Sequence, residues 1–426
     1  MNKKKCLAAA TIILFAGLIT AAPLSWYLRP EEERNQNSEN RTLAAFPKVE
    51  TLSDLGSAPA QFESWYSDHL PYKEQMVTLK SDGEIKLFGQ LDSDRVILGK
   101  KHPWLFYKAP DGQAIETYKH INPFTEESME NIVSVLYSLQ TRLYEAGIDF
   151  VFMIVPDKET IYGPDYMPDD IKVEEDQVQR TDQLLSYMAE HAPDIKVLYP
   201  KETMLREKEG LYAAAREKSE ETGETWEAWP LYYETDTHWN RIGAKVGADA
   251  LFDLLSETDR NYLTEYIDVQ FTDLADGTLP AFPAAGEKMY ITGDMQNLCK
   301  LPKSFDSQEF MPDFVLPADV TYQVDSPYGE VVYQRFHATD TRTAKRDLYI
   351  AGDSFRGLLT DFVKGRAENC TLVSRYYLDV EDVLAQHPDT FVYMIAERYL
   401  HETEVLPGVA SPSLEYTEGF KKSDIY

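Results

Sequence analysis

Two short stretches carry the residue types of acyl-transfer chemistry: Thr235-Asp236-Thr237-His238-Trp239-Asn240 and Gly352-Asp353-Ser354-Phe355. Asp236, His238 and Ser354 supply a carboxylate, an imidazole and a hydroxyl. Such a set makes a serine nucleophile, the base that activates it and the acid that orients the base. Asp236 and His238 are two apart, so on an extended segment their side chains point the same way. Ser354 follows Arg346-Asp347-Leu348-Tyr349-Ile350-Ala351, whose apolar end reads as a buried strand, and precedes a run of helical spacing from Phe355 to Phe362. A strand-to-helix turn sets the hydroxyl at the carboxyl end of a strand, where open α/β sheets hold their sites. The helix start adds unpaired N–H groups and a positive dipole end, and Phe355 is the expected oxyanion donor.

Each stretch also has a plainer reading. Gly-Asp-Ser is a common turn, and an Asp-x-His pair serves equally as a surface pair or as part of a metal site. Asn240 fits the N-cap of a helix from Arg241 to Ser256, Trp239 fits the core, and Asp353 fits a carboxylate that ties down its turn through backbone N–H groups. The conjunction of both stretches at strand ends favours the catalytic reading. A metal site built from Asp236, His238 and Asp353 is the rival chemistry. The chain has only eight histidines and shows no HExxH pattern, no zinc-type CxxC, no Walker A loop and no dinucleotide fingerprint. Neither a metal nor a cofactor is therefore expected.

The elements that must position these residues alternate between helix and strand. Gln61 to Phe88 is helical with a break at Pro71, and Arg95 to Tyr107 reads as a hairpin turning at Gly99-Lys100-Lys101-His102. Helix Glu126–Ala146, strand Ile148–Val155, helix Gln177–His191, strand Ile195–Tyr199 and a short helix Lys201–Leu211 follow. Pro230 to Thr235 leads extended into the Asp-x-His stretch. From about 260 to 345 the pattern changes to short β-like pieces with many Gly, Pro and Asp residues, as in an inserted lid or rim. Beyond Ser354 the alternation resumes with helix Phe355–Lys364, strand Thr371–Tyr377, helix Val380–His387 and strand Thr390–Ala396. The expected fold class is α/β: a doubly wound sheet flanked by helices, with a β-rich insertion.

With these residues in view, the sequence resembles the alginate O-acetyltransferase-like family of bacterial cell-surface proteins and its relatives named for a DHHW motif, both akin to SGNH hydrolases. The matching features are Asp236-Thr237-His238-Trp239, Gly352-Asp353-Ser354, Glu39 to Pro47, Val96 to Lys100 with Trp104 to Tyr107, Val155 to Lys158, and Glu397-Arg398. They span most of the chain from residue 30 onward, apart from 260–345. In that family the Asp and His precede the Ser, as here. Thr237 replaces the first His of the DHHW name, at a position not asked to do chemistry. The resemblance implies an SGNH-hydrolase-like fold and puts Arg398 at the site, holding a glycan hydroxyl or carboxylate or bracing the oxyanion. A surface salt bridge with Glu397 is the plainer role for Arg398. Lys158, just past a strand end, is a further substrate or oxyanion candidate, against a plain helix-start residue.

A chain of 426 residues with a net charge of −30 can bury a large core but is a poor partner for nucleic acid. Lys3, Lys4 and Lys5 precede an apolar run from Cys6 to Leu28, long enough to span a bilayer. The lysines would stay cytoplasmic and the body would lie on the extracytoplasmic face. An uncleaved anchor is favoured over a signal peptide cut near Thr20-Ala21-Ala22, because Pro23 follows directly. The expected organisation is an anchor over 1–28, an extended stalk over 29–60, and a catalytic domain over 61–426 with its insertion at about 260–345. Cys299 and Cys370 are the only cysteines of the body and can pair outside the membrane.

The resulting expectation is a membrane-anchored O-acetyltransferase or acetylesterase acting on a polysaccharide. Its acetyl donor would be delivered by a partner such as a membrane acyl-exporting protein. A catalytically idle glycan-binding or assembly protein, and a metal-dependent hydrolase, are the alternatives.

Overall fold

The apolar runs read as strands pair edge to edge, and their alternating side chains build a core on each face of one sheet. The structure, a computed structural model, describes residues 44–406 apart from 52–53, 71–72, 110–112, 263–288, 310–319, 324–331, 340–343 and 405, with scattered residues between 11 and 30. The chain divides into two units, 1–88 with 415–426, and Gly89–Leu414. The first holds helices α1 (Ala58–Asp68) and α2 (Lys73–Phe88). None of α1 is buried, and its Phe62 and Trp65 rings meet Phe46 at 6.1 and 4.8 Å. Residues 61–88, expected within the catalytic domain, thus cluster with the N-terminal unit. Among the described residues no helix is long and apolar enough to cross a membrane. Much of the Cys6–Leu28 run expected to do so lies outside them.

The second unit opens with the hairpin β1 (Val96–Leu98) and β2 (Leu105–Tyr107), followed by α3 (Ala114–Tyr118) and α4 (Glu126–Glu145). Next come β3 (Asp149–Val155), α5 (Lys158–Tyr166), α6 (Arg180–His191), β4 (Lys196–Leu198), α7 (Lys201–Thr222) and α8 (Arg241–Thr258). The inserted region contributes β5 (Met289–Ile291), α9 (Asp294–Leu298), β6 (Ser307–Glu309), β7 (Val320–Gln323) and β8 (Tyr333–Ala338). The chain then returns through β9 (Ala344–Gly352), α10 (Arg356–Val363), β10 (Ala367–Ser374), α11 (Val380–Gln386) and β11 (Thr390–Ala396).

The main sheet runs β4-β3-β11-β9-β10-β8-β7. Its first five strands are parallel, whereas β8 and β7 add antiparallel at one edge. The sheet is therefore mixed, since the insertion lends it two strands. Strands buried on both faces need apolar residues throughout, and β3 and β11 comply. Val151, Met153 and Val155 of β3 join Val392, Met394 and Ala396 of β11 in one core with α8 and α10. Phe150, Phe152 and Ile154 join Phe391, Tyr393 and Ile395 in the other, with α4 and α6.

The end of one helix differs from the periodicity. Helix α7 continues past Leu211 to Thr222 and stops only at Gly223, which takes the left-handed φ of 71° that ends helices. Cys299 and Cys370 are both buried and do not form the disulfide that was open to them. Cys370 is committed to the sheet in β10, and the Cys299 thiol meets Ser93 Oγ at 3.4 Å. The carboxyl ends of β3, β9 and β11 lie together in register, so the segments after Val155, Gly352 and Ala396 emerge at one edge. Open α/β sheets hold their sites at this edge.

Candidate active site

Ser354 sits in the turn between β9 and α10, and Asp353 shapes that turn. One Asp353 oxygen accepts the Phe355 N–H at 3.0 Å, and the other accepts the Ala396 N–H at 2.6 Å. The carboxylate thus ties the serine turn to the end of β11, in the structural role its position predicts. The Arg356 and Gly357 amides close onto the carbonyls of Asp353 and Ser354, which starts the helix. The Ser354 amide itself donates to no described residue.

Asp236 and His238 lie on a tight loop instead of an extended segment. Tyr232 bridges Trp239, the Tyr233 N–H reaches His238 O at 3.2 Å, and the Asn240 N–H reaches Leu231 O at 2.9 Å, so the chain folds back on itself. The two side chains meet because the Asp236 carboxylate caps its own turn: Oδ1 accepts the His238 N–H at 3.0 Å and bonds the ring Nδ1 at 2.7 Å. Asn240 then caps α8, accepting from the Ile242 and Gly243 amides at 2.9 and 3.1 Å. Trp239, fully buried, donates its indole N–H to Phe355 O at 3.0 Å and so joins this loop to the serine turn. His238 Nε2 stands 2.7 Å from Ser354 Oγ. With the ring proton on Nδ1 facing Asp236, Nε2 is free to accept the serine hydroxyl.

Residues 96–280 match the family model described as the SGNH hydrolase-like domain of acetyltransferase AlgX. Over those residues the chain is similar to this family. The match takes in Asp236 and His238 and ends before Ser354. No curated protein sequence matches the chain. Similar solved structures include the O-acetyltransferase domain of Pseudomonas putida AlgJ, 19% identical over 72% of this chain and 92% of that one, with a TM-score of 0.38. Bacillus cereus PatB1 is 13% identical over 74% of this chain and 100% of its own, at a TM-score of 0.47. A DHHW family protein from Eubacterium siraeum is 15% identical over 67% and 90%, at 0.41.

Charge in the site is set by the Asp236–His238 pair. Burial works against a charged imidazole, but the hydrogen bond and charge of Asp236, with the charge of Asp294, outweigh it and hold the His238 pKa above its ordinary value. Burial likewise works against the Asp236 carboxylate, yet the bonds from His238 and the Asp294 amide bring its pKa down to about 2. Asp294, 56 residues beyond His238 in the inserted region, was not legible in the sequence. Its only local signal is a Gly-Asp turn pair within a stretch read as a rim.

Three residues expected to meet substrate or oxyanion are buried and engaged by other groups of the fold. Lys158 is fully buried, its ammonium donating to the carbonyls of Tyr233, Glu234 and Asp236 at 3.1, 3.1 and 2.7 Å. It sits over the Trp104 and Phe106 rings and shapes the Asp236 loop from behind. Arg398 is buried too and pairs with Asp157 at 2.5 Å, its guanidinium stacked 5.1 Å over the Phe355 ring. Glu397 turns away from it to accept from the Asp157 amide, Thr160, Thr181 and Tyr199. Phe355 has its amide committed to Asp353, and its ring lies 4.8 Å from that of His238. The motif residues after β3 and β11 therefore brace the site from inside the fold.

Asp353 also stands apart from the metal set considered from sequence, since both its oxygens bind backbone amides. Asp236, His238 and Asp294 bring one potential ligand atom each within 4.8 Å of one another. Asp236 Oδ1 and His238 Nδ1 are already joined at hydrogen-bond distance, a contact that a cation between them would have to break.

Proposed function

We propose that the protein is an extracytoplasmic O-acetyltransferase, anchored through its N-terminal apolar run, that moves acetyl groups onto a polysaccharide. The observation that carries this reading is the continuous line from Asp236 through His238 to Ser354, with 2.7 Å at each step. As Ser354 Oγ bonds to the acetyl carbonyl carbon, its proton passes to His238 Nε2, and Asp236 stabilises the resulting imidazolium. The carbonyl oxygen takes the negative charge beside the unengaged Ser354 amide. Collapse of the tetrahedral adduct breaks the bond to the donor's oxygen, which leaves with the proton from Nε2, and acetyl-Ser354 remains. A sugar hydroxyl then gives its proton to Nε2 while attacking the acetyl carbon, and collapse returns the proton to Oγ. Water in place of the sugar would make the same site an acetylesterase.

Support comes from the acetyltransferase-type domain model and from the motif resemblance; the acetyl donor would be handed over by a membrane partner. The net charge of −30 favours a neutral or weakly charged glycan as acceptor. Incubation with p-nitrophenyl acetate, followed by acid quench and peptide mass spectrometry, tests the reading. One acetyl group should appear on the Ser354 peptide of the wild type and be absent in Ser354→Ala. A wild-type protein that neither acetylates Ser354 nor releases p-nitrophenol would instead be an idle glycan-binding relative on the same fold.

A further inference from the structure

The loop that carries Asp236 and His238 is clasped by the inserted segment between β5 and β6, and the clasp is reciprocal. The Asp294 amide donates to Asp236 Oδ2 at 2.8 Å. In return Asp294 Oδ1 accepts the Thr237 N–H at 2.8 Å, and Oδ2 accepts the Thr237 hydroxyl at 2.5 Å. Both oxygens of Asp236 are thereby engaged, one by His238 and one by residue 294, which fixes the plane of the carboxylate. Asp294 Oδ2 also lies 3.8 Å from His238 Nδ1, on the same side of the ring as Asp236. Contacts independent of Asp294 seat the segment. Thr235 bonds Ser307 Oγ through both its amide and its hydroxyl at 2.8 Å. Gly293 passes so close to Thr235 that any Cβ there would collide with the Thr235 carbonyl.

We propose that Asp294 is a positioning residue of the acyl-transfer site, locking the Asp236 carboxylate and placing a second negative charge beside the imidazolium that His238 forms. This rests on the function proposed above. The charged and titratable groups around His238 are Asp236 and Asp294 on its Nδ1 side, and Arg398, whose charge opposes protonation. Lys158 faces the two carboxylates from inside the fold. Two carboxylates against one opposing guanidinium leave the balance with the protonated ring. Thr237 acts through Asp294: its hydroxyl holds Oδ2 and lies 3.2 Å from His238 Nδ1.

The test compares the full chain with Asp294→Asn, Asp294→Ser and Thr237→Val. Acetyl-ester turnover is measured across pH, and His238 titration is read by histidine hydrogen–deuterium exchange mass spectrometry. Both Asp294 variants should lose about ten-fold or more in kcat with KM nearly unchanged. Their His238 titration should move down by about one pH unit, because a carboxylate has left the Nδ1 side. Thr237→Val keeps that charge, so it should lower kcat while leaving the titration in place. The titration is read without turnover, so inactivity of the wild type would count against the acetyl-transfer function alone. A His238 titration that stays put in folded Asp294→Asn and Asp294→Ser would overturn the proposal, whatever their activity.

Discussion

The His238 pKa is held above its ordinary value against the pull of its own burial, and that balance would set the acid limb of the proposed activity. The neutral ring is the base, so a pKa raised by Asp236 and Asp294 moves the acid limb of activity upward. Turnover of an acetyl ester should therefore fall away as pH drops through a value above the ordinary 6.5 of histidine, as a kcat/KM profile would reveal. Asp236→Asn should leave the fold intact yet cost roughly three to four orders of magnitude in kcat, because the ring loses both its tautomer and its counter-charge. The same profile repeated after chelation should be unchanged. Activity lost to a chelator and restored only by metal would contradict the triad. Lys158 acts at this scale from behind. Burial pushes its ammonium down to about 8, yet three carbonyls depend on it. Lys158→Met should destabilise the protein by roughly 2–5 kcal/mol in denaturant titration, through carbonyls left unpaired in the interior.

Among the elements, α8 and the Asp236 loop are held at a separation that admits no side chain. Gly243 packs so closely on the Leu231 carbonyl that an added Cβ would collide with backbone, which cannot rotate away. Gly243→Ala should therefore push the start of α8 off the loop, strain the Asn240 cap and lower stability by about 1–3 kcal/mol. Denaturant midpoints measure that loss, and kcat should fall with it, because the loop between the displaced ends bears His238. The contrast is Gly210, in the middle of α7, whose Cβ would meet nothing. Gly210→Ala should be neutral or slightly stabilising, as for any exposed helix interior.

For the molecule as a whole, the proposed topology is testable without any activity. Lysines 3–5 ahead of an apolar run would place the body outside the membrane in which the run would sit. Protease added to spheroplasts should digest the body while cytoplasmic markers survive. Full protection of the body would reverse the orientation. The described residues bear on the body alone, and there the unit Gly89–Leu414 brings the ends of β3, β9 and β11 to one edge beneath the site.

Local chemistry was legible in the sequence because it is written in neighbouring residues. The strand–turn–helix around Ser354, the Asn240 cap, the buried Trp239 and the central strands β3 and β11 all follow from short-range pattern and burial period. The side-chain contact between Asp236 and His238 was also expected, but from strand alternation. A capped turn achieves it instead, since a carboxylate that bonds its own loop amides can outcompete an extended backbone. Long-range closure was not legible. Asp294 reaches His238 only because Gly293 lets an inserted segment touch Thr235, and no periodicity encodes that approach. The roles of Lys158 and Arg398 were decided in the same way. Motif position put both at the correct edge of the sheet, but only the packed structure determined which way a long cationic side chain runs. There, carbonyls and a carboxylate inside the fold claim the charges before any ligand can.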